Sequence, residues 1–329
     1  MPEGTVDDED LAENFRPAQA RLAGLGRARA AIIMLIVYLL ITVITIVISC
    51  LDLLHLHQLF AFGPWAGDNQ QREDFYTLFF WVMATSGIGT AVAFLMWLYR
   101  AYANVVNFGV KGLEHSPRWA VGSFFFPVFN LGGPLVIVQE LWRASDSGVR
   151  DSWKGGSASA LAGFWWGCFI GGILLFFTGA IISGHRPNTI AGISFGITLT
   201  IISEVLTTSA GILVIFLINA IMRRQAEKLC RLVSEWPFDD PPDVVTITVR
   251  QIVEGVVPIL LVTRDAEEGL WQFLPRGEVD MADGKVVSLL SMFGRDPTIS
   301  ELADLEPGWQ ATRERVGVAW KREPCQNWD

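Results

Sequence analysis

Four long apolar runs constrain this chain more than any other feature. They extend from about Ala30 to Leu51, Phe75 to Leu98, Leu161 to Ser183 and Ile193 to Met222, and each is nearly free of charge. Crossing roughly 30 Å of hydrocarbon takes about 20 helical residues. A core helix of a soluble protein keeps a polar face at a 3.6-residue period, and these runs keep none. The expected fold class is an α-helical polytopic membrane bundle of four transmembrane helices. Composition agrees, with 51% of residues hydrophobic and 18% charged, against about 25% charged in soluble domains.

Direction follows from the bases. Arg16, Arg21, Arg27 and Arg29 precede the first run; Arg100, Lys111, Arg118, Arg143, Arg150 and Lys154 lie between the second and third; Arg223, Arg224, Lys228 and Arg231 follow the fourth. The two opposite loops hold only Arg72 and Arg186. Under the positive-inside rule this bias puts both termini in the cytoplasm of a plasma-membrane protein. Residues 1–28 form an acidic tail with too little apolar surface to fold and make a poor signal peptide, so the first run is expected to remain as an anchor.

Residues 117–142 are apolar but contain Pro127, Asn130, Gly132, Gly133 and Pro134. Prolines and a Gly pair do not sustain a spanning helix. With bases on both sides, the segment is expected to be a broken, re-entrant or interfacial helix-break-helix sheltered by the bundle. The membrane domain then covers residues 29–230.

Small residues set how membrane helices approach. Gly163, Gly167 and Gly171 recur every fourth residue on span three, which predicts a close helix contact, with span two as a partner and a homo-oligomer as the other use of that face. On span four, Thr200, Glu204 and Thr207 share one face. A glutamate at that depth is costly unless neutral or used, so this face is the candidate intramembrane polar site, either a hydroxyl-satisfied seam or an ion-coupling surface. Arg100, Glu140 and Arg143 fall at one membrane interface and form a candidate structural lock, with an Arg100–Glu140 pair at its centre. Asn104 and Asn130 are expected to cap freed backbone groups.

Beyond a Pro/Asp linker at 231–243 the pattern turns globular. Val244–Arg250, Val256–Thr263, Leu270–Leu274 and Val286–Leu290 read as strands, and Asp296-Pro297 as a helix start. A small α+β cytoplasmic domain is expected over 244–329. Residues 231–329, linker included, carry a net charge of −8, which disfavours nucleic acid as a partner. The cysteines at 50, 168, 230 and 325 have no paired spacing and are expected as free thiols. His55, His57, His115 and His185 enforce no metal geometry. No catalytic, cofactor-binding or metal constellation stands out, so the enzyme reading is set aside.

Trp97-Leu-Tyr-Arg-Ala-Tyr-Ala-Asn104, Ser116-Pro-Arg-Trp-Ala-Val-Gly122, Pro127-Val-Phe-Asn-Leu131, Pro134 and Glu140-Leu-Trp-Arg-Ala-Ser145 resemble, in order and spacing, a bacterial membrane family catalogued as domain of unknown function 4328. The resemblance covers about residues 30–225. It implies a multi-span bundle with the broken segment as its signature, and it brings no activity. Where that pattern carries a bulky or basic residue before Pro134, this chain has Gly133. The C-terminal domain resembles small bacterial recognition or immunity modules. The functional expectation is a membrane-anchored binding or regulatory protein, partnered by the lipid bilayer and by a protein at the cytoplasmic domain. The alternative is a small transporter or channel using the face around Glu204.

Overall fold

The computed structural model describes residues 24–61, 69–126, 129–146, 153–185, 190–234, 236–277 and 280–325. The acidic tail expected at 1–28 lies outside this set up to residue 23, as do Pro127, Arg150 and Arg186. Four helices are long and apolar enough to cross a membrane: α1 (Leu25–Ala61), α2 (Asn69–Asn107), α5 (Ala160–His185) and α6 (Ile190–Ser234). Between them lie α3 (Pro117–Gly122) and α4 (Gly133–Ala144). Large apolar side chains cover the outside of the long helices, among them Leu40, Leu78, Phe80, Trp81, Phe164 and Phe216. An apolar shell around an apolar interior suits lipid rather than water.

The long helices form a row. Helix α5 packs along α6, α6 against α1, and α1 against α2. Thr90 of α2 donates to the Met34 carbonyl of α1 at 3.1 Å, and Thr208 of α6 donates to Thr42 Oγ1 of α1 at 3.2 Å. The ends of the row, α2 and α5, are bridged by rings: Phe94 lies 5.8 Å from Trp165 and 5.9 Å from Phe124.

The broken segment is present as expected. Ser116 caps α3 by accepting from the Trp119 amide, Pro117 fills the first turn, and two 3-10 turns (Ser123–Phe125 and Phe129–Leu131) lead to α4. The Phe129 ring packs over Gly133 where any Cβ would collide, which is why the residue before Pro134 is small here. The Trp166 indole donates to the Leu131 carbonyl at 2.9 Å and ties the break to α5.

The C-terminal part is a six-stranded mixed sheet. Its strands are β1 (Val245–Val249), β2 (Leu261–Arg264), β3 (Trp271–Leu274), β4 (Gly284–Ser288), β5 (Trp309–Thr312) and β6 (Lys321–Pro324), in the order β4-β1-β3-β2-β5-β6. Only β1 and β3 run parallel. The short α7 (Arg250–Val253) follows β1. Alternation buries Thr246, Thr248, Trp271, Phe273, Val262 and Ala311 on one face, against α8 (Leu289–Arg295) and the 3-10 turn Pro297–Leu302. Two expectations need adjusting. Strand β2 begins at Leu261, after Pro258, because proline has no amide to give the ladder. The Pro/Asp stretch is no free linker: Phe238 stacks edge-on against Trp271 at 5.7 Å, and Asp240 accepts from the Trp271 indole at 2.8 Å and from Arg264 at 3.0 Å.

Candidate functional site

Thr200, Glu204 and Thr207 lie on α6, but the hydroxyls serve acceptors other than Glu204. Thr200 donates to the Gly196 carbonyl at 3.1 Å and Thr207 to the Ser203 carbonyl at 2.9 Å, both one turn back along the same helix. Ser203 donates across to the Gly172 carbonyl of α5 at 2.8 Å. Oε2 of Glu204 is buried and finds no hydrogen-bond partner among the described residues. The expected hydroxyl-satisfied seam around Glu204 is therefore absent there. Backbone carbonyls one turn away are the nearest acceptors for Ser and Thr on a helix, and they claim these groups.

The glycine seam is shifted in register and in partner. Gly163 and Gly167 have open space where a Cβ would stand, and Gly171 makes only an ordinary contact with Leu206. The close approach runs through Gly172 and Gly179, both buried, against α6 rather than span two. A Cβ on Gly172 would lie 2.7 Å from Thr207 Oγ1 and 3.2 Å from the Ser203 carbonyl oxygen. These two glycines sit two turns apart, an equally valid stripe on the opposite side of the helix.

At the base of the bundle the structure gathers the motif residues, with different pairings. Glu140, 5% exposed, lies 2.6 Å from His115 Nδ1 and accepts from the Glu114 amide at 2.5 Å. The expected Arg100–Glu140 pair does not form. Arg100 packs its stem over Gly24 beside α1, whereas His115 arrives from the loop that α3 caps. Tyr102, fully buried, places its hydroxyl beside Glu140. Arg143 lies one turn further along α4, its Nε buried without a partner among the described residues. Asn104 donates to the Gln225 side chain at 3.1 Å, and Asn130 Oδ1 is buried without a partner among the described residues.

Gln225 and Lys228, both missed by sequence reasoning, hold this base together. Helix α6 runs past the fourth apolar stretch to Ser234. On that extension the Gln225 amide donates to the Ala101 carbonyl at 2.8 Å and to Ser145 Oγ at 3.2 Å. Lys228, 4% exposed, donates to the Ala144 and Asp146 carbonyls at 3.0 and 3.1 Å. A cation on the last carbonyls of α4 satisfies unpaired acceptors and complements the helix dipole. Arg224 lies over the Trp142 ring at 3.8 Å.

The sheet domain touches the same base. Gly109, at φ +75°, meets Gly294 of α8 backbone to backbone, and a Cβ on Gly294 would come within 2.7 Å of the Phe108 carbonyl. The packed sheet face lies toward α8; the other face is partly exposed, although Val249 on it is buried. Ile247 pairs with Val286 and Gln272, and Leu261 with Leu274, so these side chains share that second face with Val245. Val245 and Val286 are 54% and 72% exposed.

No cluster of three or more His, Cys, Asp or Glu placed to hold a metal occurs among the described residues. The cysteines are free thiols. Residues 67–223 match the family described as Domain of unknown function (DUF4328). That match ends before the sheet domain, so the likeness of that domain to recognition or immunity modules has no support from it. No curated protein and no solved structure matches the chain.

Proposed function

With residues 67–223 similar to the DUF4328 family, we propose that this protein is a membrane-anchored binding module whose C-terminal sheet domain recognises a protein partner in the cytoplasm. The observation that carries the reading is the half-covered sheet. One face is packed on aromatic rings and α8, and the other carries the exposed Val245 and Val286 beside the half-buried Ile247, Leu261 and Leu274. Apolar side chains on a partly exposed sheet face beside the free edge strand β4 suit a protein surface or an added strand. The lopsided distribution of bases supports a cytoplasmic placement of both ends. The four apolar helices support insertion in the bilayer, with the outward Phe125, Phe126 and Leu131 of the broken segment facing lipid.

A photo-crosslinking residue at Val286 or Ile247 of the full-length protein, in native membranes, tests this. One discrete protein adduct at both positions, lost in Val286→Glu, is the expected result. No adduct at either position would refute it.

Transport is the second reading, and Glu204 with its unpartnered oxygen is what favours it. The cavity of about 360 Å³ between α2 and α5 is walled by Phe94, Trp165, Trp166 and Phe169 and does not include Glu204. Such walls suit an apolar occupant better than an ion, so transport ranks below binding.

A further inference from the structure

We propose that the base of the bundle binds a phosphate oxyanion, of the kind carried by an acidic phospholipid headgroup, between Arg143 and Lys154. A cavity of about 480 Å³ opens there between α4 and the turn at Trp153–Gly155. Gln139 fixes its wall, since both ends of its amide are spent on Ser159, the residue before α5 begins. The cavity therefore lies level with the end of a membrane-length helix, where headgroups sit.

Its lining holds two carboxylates, Glu114 and Glu140, and two cations, Arg143 and Lys154, and what is left unspent is a donor of Arg143. Glu140 already faces His115 and the Glu114 amide, so it asks nothing of Arg143. The Arg143 Nε–H is removed from water and has no acceptor among the described residues. A desolvated guanidinium donor left unpaired is costly, and a charged acceptor is its best remedy. Lys154 pairs with Glu114 at 3.2 Å, with both side chains more than half exposed. Such exposed pairs are weak, so Lys154 can turn to an incoming phosphate. Leu135 and Val136 form the apolar lip, with Val136 52% exposed beside the outward Leu131. An acyl chain attached to the phosphate would lie along that surface. This is the side carrying the excess of bases, where acidic lipids attract cations.

The test is native mass spectrometry of the full-length protein in mild detergent, titrated with phosphatidylglycerol or phosphatidylcholine, with and without excess inorganic phosphate. The expected result is one retained phosphatidylglycerol per chain, about tenfold preferred over phosphatidylcholine. Arg143→Gln abolishes that preference. Lys154→Gln, at an exposed position that leaves the fold intact, weakens it several-fold. Retention in the presence of phosphate assigns the site to lipid; displacement assigns it to a soluble phosphate ester. Equal retention of the two lipids by the wild type, or an unchanged preference in Lys154→Gln, overturns the proposal.

Discussion

The helix bundle and the sheet domain solve the burial of polar groups in opposite ways. Within the long apolar helices many hydroxyls fold back onto their own helix, as Thr45, Thr85, Thr200 and Thr207 do, and shape comes from small residues such as Gly172 and Gly179. The sheet domain instead buries a full ion pair. Arg313, 3% exposed, bonds Asp296, Thr298 and the Ile259 carbonyl and lies under the Trp320 ring at 4.1 Å. The base of the bundle lies between these extremes, where Gln225 and Lys228 reach carbonyls of other helices. The lesson is that hydroxyls in the apolar helices reach the nearest carbonyl or hydroxyl, on their own helix or, for Thr90, Ser203 and Thr208, on a closely packed neighbour. Longer polar side chains tie helices together at the base.

The sharpest way to break this contrast is Asp296→Ala. It strands the buried Arg313 guanidinium and is expected to destabilise the sheet domain by about 3–5 kcal/mol, read as a lower urea midpoint. An unchanged midpoint would mean that the ion pair is incidental. Next in size is a pair of leucine substitutions on α5. Gly172→Leu forces a side chain into Thr207 and is expected to cost about 1–3 kcal/mol of bundle stability, whereas Gly167→Leu, facing open space, leaves it unchanged. Thermal unfolding in detergent separates them, and equal losses would move the seam back to the other glycine face.

The smallest effect is on pH. Hydrogen bonds from Arg250 hold the Asp283 carboxyl below the usual carboxylate range, and those from Arg322 do the same for Asp304. A depressed folded value means the stabilisation is complete above the unfolded carboxylate pKa of about 4 and is lost as pH falls through the folded value. Stability should therefore be flat from neutral pH down to about 5 and fall below about 4. The loss should shrink in high salt, most of all at Asp304, which is exposed. Asp304→Asn should remove its own share of the acid slope in a pH series of denaturation midpoints, and a slope rising toward acid would contradict the assignment.

Much of the architecture was legible in the chain itself. Long uncharged runs give helices of membrane length because every backbone group must be satisfied within the segment, and Pro134 with its glycines dictates a break because proline cannot sustain the ladder. Alternation placed β1 and β3, since a strand period of two exposes its buried face in the sequence. Partners were not legible. Gly163-Gly167-Gly171 and Gly172-Gly179 are both coherent stripes, and only the position of α6 selects the second. Glu140 met His115 instead of Arg100 because the loop after α2 turns at Gly109 and Gly112, both at positive φ, and carries His115 back over α4. Periodicity along one helix is a local property written in order along the chain. Which face meets which neighbour depends on rotations and loop paths that sum over the whole fold, and those only the tertiary structure decided.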